Sequence, residues 1–284
     1  MVDIEKILAT RYPERSAVFD ERDCMLYALG TGFAQDPTDE AELAFTYERN
    51  LKVSPSAVTV VCMGTDWVSP TGVDFTGVVH GEQRLHFQRP VRAGDRVLYS
   101  TRVVEAVDKG PGKGLILSAE TEVRDASTGA VICTAVTSAF CRNDGGAGGS
   151  PVSRFAIHAM PDRAPDRSIA RPTQANQALF YRLCGDRNPL HAEPAFARKA
   201  GFPRPILHGL CTYGFACRAV LEAYCDYDPA RLAAFDVRFS APVFPGETIV
   251  TDLWRDGDVV SFRCRAAERN TVILNNGRAA VRAS

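Results

Sequence analysis

A gapless internal echo limits what this chain can fold into more than any other feature. The segment Phe87-Gln88-Arg89-Pro90-Val91-Arg92-Ala93-Gly94-Asp95-Arg96-Val97 lies over Phe239-Ser240-Ala241-Pro242-Val243-Phe244-Pro245-Gly246-Glu247-Thr248-Ile249 at a constant offset of 152 positions (239 − 87, and again 246 − 94). In both copies an apolar run enters, Pro interrupts it, a Gly-acid pair turns the chain, and a second run leaves. Duplication of one folding unit is the simplest source, so two copies of one architecture are expected. Near the middle, Asp144-Gly145-Gly146-Ala147-Gly148-Gly149-Ser150-Pro151 offers little to pack and reads as a flexible linker. The expected division is an N-terminal repeat over 1–143, a linker over 144–153 and a C-terminal repeat over 154–284, each half about the size of a small domain.

Both halves read mainly as antiparallel strands. After Gly94 the runs Val97–Val104, Leu115–Val123 and Ala130–Phe140 are strand-like, separated by turns at 110–114 and 127–129. After Gly246, Thr248–Trp254 and Val259–Ala266 flank the hairpin dipeptide Asp256-Gly257, and a final run is read as two pieces, Thr271–Leu274 and Ala279–Val281. One long helix is expected over Ile206–Tyr224, apolar on nearly every face and hence buried, with Pro203 and Pro205 ahead of it. A shorter helix is expected over Gln174–Cys184. The corresponding stretch of the first half, Ser54–Trp67, is rich in Val, Thr and Gly and predicts a degenerate helix.

Composition narrows the function. A hydrophobic fraction of 45% and a charged fraction of 24% suit a globular protein that needs no staples. The formal net charge of −1 lacks the basic surplus that nucleic-acid binding requires, but leaves room for a single anionic ligand held by local Lys and Arg. The nine cysteines are scattered with no Cys-x-x-Cys pair, which excludes a zinc ribbon or a thioredoxin-like motif and fits a reducing interior. No run approaches the ~18 apolar residues of a membrane span. The N-terminus has no signal-peptide pattern, and Val281-Arg282-Ala283-Ser284 is not a Ser-Lys-Leu type of peroxisomal address, so the cytoplasm is the expected compartment.

Chemistry concentrates in Gly185-Asp186-Arg187-Asn188-Pro189-Leu190-His191-Ala192-Glu193-Pro194, which joins the two helices of the second half. If the Pro-stiffened turn doubles back, Asp186 and His191 converge. Such a pair can take one proton from water and deliver another to carbon, as hydration of an activated alkene requires. Asn188 can donate and accept, and so hold water or acid in line. The same residues also suit a plain capped turn with Asp186 on the surface.

The run Tyr181 to Pro194, followed by Ala200-Gly201-Phe202 and Pro205-Ile206-Leu207-His208-Gly209-Leu210-Cys211-Thr212, resembles the R-specific (type-2) enoyl-CoA hydratases. These are MaoC-like proteins that include the hydratase portion of peroxisomal multifunctional enzymes. Tyr27-Ala28-Leu29-Gly30 and His80-Gly81-Glu82-Gln83 extend the resemblance into the first half, so it covers almost the whole chain. It implies an α+β double hot dog: two repeats, each a curved antiparallel sheet wrapped around a helix. It implies reversible hydration of trans-2-enoyl-CoA to (3R)-3-hydroxyacyl-CoA, on medium, long or bulky acyl chains, in lipid metabolism.

The resemblance places the catalytic dyad on Asp186 and His191, with Asn188 assisting and the Gly209 backbone N–H against the thioester oxygen. A donor at the start of a helix suits that developing charge, since N–H groups there are unpaired and the dipole favours anions; Gly209 also suits tight helix packing. Glu48 matches an acidic position of eukaryotic relatives and is either catalytic or a buried structural carboxylate. Lys109, Gly110 and Lys113 offer ammonium and N–H groups suited to CoA phosphates, or form a simple hairpin turn. His208 is expected beside the substrate, orienting its loop through a hydrogen bond. Arg187 and Glu193 stand where relatives carry other residues, which bears on pocket shape. No metal and no cofactor are expected, and the assembly is expected to be a homodimer. The alternatives are a hot dog acyl-CoA thioesterase, disfavoured by the Asn-Pro-Leu-His element, and a non-catalytic acyl-CoA-binding subunit.

Overall fold

The turn that repeats in the sequence is the same turn twice in the structure. In a computed structural model, which describes residues 2–64 and 66–283, Gly94 and Gly246 adopt φ of +86° and +95°, a conformation that favours glycine. The acid that follows caps its own turn: Asp95 accepts from the Arg92 N–H at 2.9 Å and Glu247 from the Phe244 N–H at 2.8 Å. An arginine braces each acid, Arg89 on Asp95 and Arg269 on Glu247.

Ten strands form one antiparallel sheet: β1 (Arg15–Val18), β2 (Val78–Phe87), β3 (Arg96–Asp108), β4 (Leu115–Asp125), β5 (Val131–Cys141), β6 (Arg167–Pro172), β7 (Leu232–Phe239), β8 (Thr248–Asp256), β9 (Val259–Ala266) and β10 (Thr271–Val281). The spatial order β1-β3-β4-β5-β2-β7-β10-β9-β8-β6 is a palindrome if each of the first five strands is matched to its counterpart in the second five. The two repeats meet at the β2/β7 pair, where Arg84 lies opposite Asp236. These positions are also 152 apart (236 − 84), and the flanking pairs Glu82/Arg238 and His86/Ala234 exchange roles about them. The sequence offset therefore corresponds to a pseudo-twofold axis through the centre of the sheet. The final run, read as two pieces, is a single strand β10 whose pairing with β7 shifts register between Asn275 and Arg278.

The long helix, Gly209–Tyr224, starts at Gly209 rather than Ile206 and is buried on almost all sides. Cys211, Tyr213, Phe215, Cys217, Val220 and Leu221 join Leu85 of β2, Phe235 of β7 and Phe262 of β9 in one core shared by both repeats. Gly214 permits the closest approach, because a Cβ there would lie 2.3 Å from Thr31 Cγ2, next to the helix Glu21–Gly30. The equivalent helix of the first repeat is reduced to a 3₁₀ turn, Pro55–Ala57, and one α turn, Val58–Val61. β-branched residues and the Gly64 break leave no longer helical run there.

The segment expected to be a flexible linker is instead pinned. Asp108, at the end of β3, accepts from the N–H groups of Gly146 and Gly148 at 2.9 and 2.7 Å, and Ser150 exchanges backbone hydrogen bonds with Ala106 and Asp108. Glu105 then holds Ser153 and the Arg154 N–H. Glycines 146, 148 and 149 have positive φ, so the run follows tight bends that other residues resist. Beyond it the chain crosses the sheet face away from the long helix, where Arg84 and Asn276 donate to the carbonyls of Ala156 and His158.

Candidate active site

Local turn chemistry builds the Asp186–His191 loop. Gly185, at φ +140°, reverses the chain after the turn Arg182–Cys184. Asp186 Oδ1 accepts from the Asn188 N–H at 3.0 Å, and Asn188 Oδ1 accepts from the Leu190 N–H at 3.0 Å, capping the turn Pro189–His191. Asn188 thus shapes the turn that presents His191.

His191 is buried, and its Nδ1 lies 2.9 Å from the Ile206 carbonyl. A carbonyl only accepts, so Nδ1 carries the proton and Nε2 keeps its lone pair. Burial lowers the pKa of this imidazole, with opposition from the Ile206 bond and the Asp186 charge, so the neutral form is favoured. His208, also buried, donates through Nε2 to the backbone carbonyl of Asp186 at 3.1 Å, and burial pulls its pKa down to about 4. The two imidazoles stack, with centroids 3.7 Å apart and planes at 28°. Asp186, His191 and His208 offer ligand-type atoms within 4.8 Å of one another, so the expected convergence of Asp186 and His191 is met. The same three groups could hold a divalent cation.

Gly209 is the first residue of the long helix. Among the described residues, no backbone or side-chain acceptor takes the N–H groups of Gly209 or Leu210. The Ile206 carbonyl, which a helix could have used, is held by His191. Unpaired donors at a helix start favour anions, which is the property that the expectation for Gly209 rests on. Packing also favours glycine, since a Cβ would come within 3.2 Å of the Phe239 ring.

The first repeat reaches the same place. His80, on β2, packs against Phe239 with centroids 4.4 Å apart, and it feels the charge of Asp186. A β-bulge between His80 and Glu82 sets its direction. Neither His80 nor Phe239 was assigned a site role from sequence; only the adjacency of β2 and β7 in the folded sheet joins them to the dyad.

Other expectations fare differently. Glu48 is neither buried nor beside the dyad: it is exposed in a separate cleft with Glu21, Lys52, Arg92 and Asp228. The buried carboxylate of that region is Glu42, six residues earlier, which grips Arg218 of the long helix at 2.6 and 2.8 Å and also accepts from Tyr227 and the Ala34 N–H. Lys109 and Lys113 are exposed at the β3–β4 turn with free ammonium groups among the described residues, but the Gly110 N–H is already taken by Asp108 at 2.8 Å. Arg187 and Glu193 are exposed around the loop.

Comparison with known proteins identifies the family. Residues 18–143 match the MFE-2 hydratase 2 N-terminal domain, and residues 156–276 match the MaoC like domain. The chain is 36% identical to an Arabidopsis thaliana protein named peroxisomal enoyl-CoA hydratase 2, over 94% of this chain and 92% of that one. The crystal structure of a MaoC-like dehydratase from Phytophthora capsici superposes with a TM-score of 0.87 at 32% identity, covering the whole of both chains. A Mycobacterium tuberculosis protein described as a double hotdog fold superposes at 0.57 with 15% identity, a likeness of fold alone. With its two repeats, palindromic sheet and loop-borne acid and imidazole, the chain belongs to the enoyl-CoA hydratase 2 family of MaoC-like double hot dog proteins.

Proposed function

We propose that the protein hydrates trans-2-enoyl-CoA reversibly to (3R)-3-hydroxyacyl-CoA. The observation that carries this reading is the free Nε2 of a neutral His191, close to the Asp186 carboxylate and stacked on His208, which immediately precedes the unpaired N–H of Gly209. Water bound between Asp186 and His191 adds its oxygen to C3 while His191 Nε2 takes its proton. The alkene electron pair shifts through C2 onto the thioester oxygen, where the Gly209 N–H receives the charge. Donors of this kind are often worth about 100- to 1000-fold in rate. The enolate then collapses, and C2 takes the proton from the imidazolium. Asp186 orients the water and offsets the transient positive charge on His191. Atoms balance: one water enters, and the histidine ends neutral.

The chemistry uses no cofactor and no metal, although the three converging side chains would admit a cation. The shortened first-repeat helix supports a preference for medium, long or bulky acyl chains, and the exposed Lys109 and Lys113 support a role in holding CoA phosphates. Nine unpaired cysteines, most of them buried, support a reducing compartment, for which we propose the cytoplasm. Among the described residues, no helix is long and apolar enough to cross a membrane. Exposed Leu29, Leu179, Phe180 and Leu183 support a homodimer, to be checked as twice the chain mass in light scattering.

Incubation with enoyl-CoA thioesters of increasing chain length tests the activity. Absorbance of the conjugated thioester should fall without release of free thiol, and prior dialysis against EDTA should leave the rate unchanged. Thiol release from saturated acyl-CoA without hydration would instead support a thioesterase. A rate lost to EDTA and restored by zinc would overturn the metal-free mechanism.

A further inference from the structure

His208 touches both members of the dyad at once, through different parts of its ring. Its face stacks on His191 at 3.7 Å, and its Nε2–H holds the Asp186 carbonyl at 3.1 Å. Tyr181 packs against it, with ring centroids 4.9 Å apart, and the residue is only 1% exposed. It also immediately precedes Gly209, as the N-cap residue of the long helix, yet its side chain makes no cap hydrogen bond. The ring is therefore committed to the Asp186–His191 loop and not to its own helix. Its Nδ1 has no partner, an uncommon condition for a buried nitrogen. A residue serving packing alone would be better replaced by an apolar ring, because an unpaired buried polar atom costs about 1–3 kcal/mol.

We propose that His208 is a positioning residue for the hydration reaction, fixing the separation and direction of Asp186 and His191 relative to the Gly209 donor. Asp186 stands on an exposed turn, whereas His208, just ahead of the helix start, is buried. The Nε2–H bond ties that turn to the helix start, and the stack stops the His191 ring from swinging about its Nδ1–H bond to Ile206. Mispositioning of catalytic groups by about 1 Å can cost on the order of 100-fold in rate. The inference rests on the reading of Asp186 and His191 as the reacting pair.

Two variants separate the contacts. His208→Phe keeps a ring for stacking and loses the donor; His208→Gln keeps a donor and loses the stack. Each should lower kcat by roughly 10- to 100-fold with KM changed less than about threefold, while the variants remain folded. The Gln variant should also raise the acid limb of the kcat profile toward the ordinary imidazole range, because a shorter, hydrated amide no longer shields His191. ¹⁵N NMR of His191 supplies a readout independent of turnover: the fixed Nδ1–H tautomer of the wild type should become a mixture in at least one variant. The proposal is overturned if both variants keep kcat within twofold of wild type, or if losses match the unfolded fraction while the pH profile and His191 signals stay unchanged. If wild type hydrates no enoyl thioester, the activity reading fails, and the His191 signals still decide the positioning role.

Discussion

Asp186→Asn and His191→Ala are each expected to slow hydration by roughly 100- to 10,000-fold, the range for removing a group that moves or steers a proton in the transition state. Asp186 is exposed, so the Asn variant should fold and bind CoA as wild type does; its loss should lie in kcat. His191→Ala frees the Ile206 carbonyl and opens a space beside His208, so modest destabilisation should accompany the kinetic loss. Steady-state kinetics on the folded fractions measure both effects. If either variant keeps more than about a tenth of wild-type turnover, the role assigned to that residue is wrong. The pH dependence carries a matching sign. The proposed role of His191 needs the neutral imidazole, and burial lowers its pKa, so the acid limb of the activity profile should lie below that of an ordinary histidine.

The second large effect concerns folding. Glu42 and Arg218 form a bidentate pair buried at 1% and 2% exposure, linking the first repeat to the long helix of the second. Breaking such a pair from one side strands a buried charge and commonly costs about 3–5 kcal/mol. Glu42→Gln should therefore lower the denaturant midpoint sharply, far more than removal of a surface pair such as Arg22–Asp23, where ~1 kcal/mol or less is expected. The double replacement Glu42→Gln with Arg218→Met should recover part of the loss, because the uncompensated guanidinium is then gone. A loss below about 1 kcal/mol for Glu42→Gln would show that water or Tyr227 compensates the charge.

Much of the architecture was legible because local chemistry and global pairing point the same way. The Pro and the Gly-acid turn recur at a fixed offset since both repeats need the same left-handed glycine and the same carboxylate cap. The dyad was legible because its members lie five residues apart on one capped turn, so convergence depends only on local geometry. What escaped depends on contacts between distant segments. His80 and Phe239 meet only because β2 and β7 are neighbours at the seam. Glu42 was passed over for Glu48 because a carboxylate's burial is decided by Arg218, 176 positions away. The glycine-rich run gave no sign of its order, because its anchors, Asp108 and Glu105, belong to β3.

The most direct test of the central claim is hydration of trans-2-enoyl-CoA in deuterated water, with configuration determined at C2 and C3. Asp186 and His191 converge on one place, so under the proposed mechanism water reaches one face of the alkene and the proton returned to C2 comes from that same face. The expected product is (3R)-3-hydroxyacyl-CoA with one deuterium at C2, added syn to the hydroxyl. The R configuration follows from membership in the type-2 family, and the syn geometry follows from the shared face. Predominantly S product, or anti addition, would contradict the account even if the thioester absorbance disappeared at a hydratase rate.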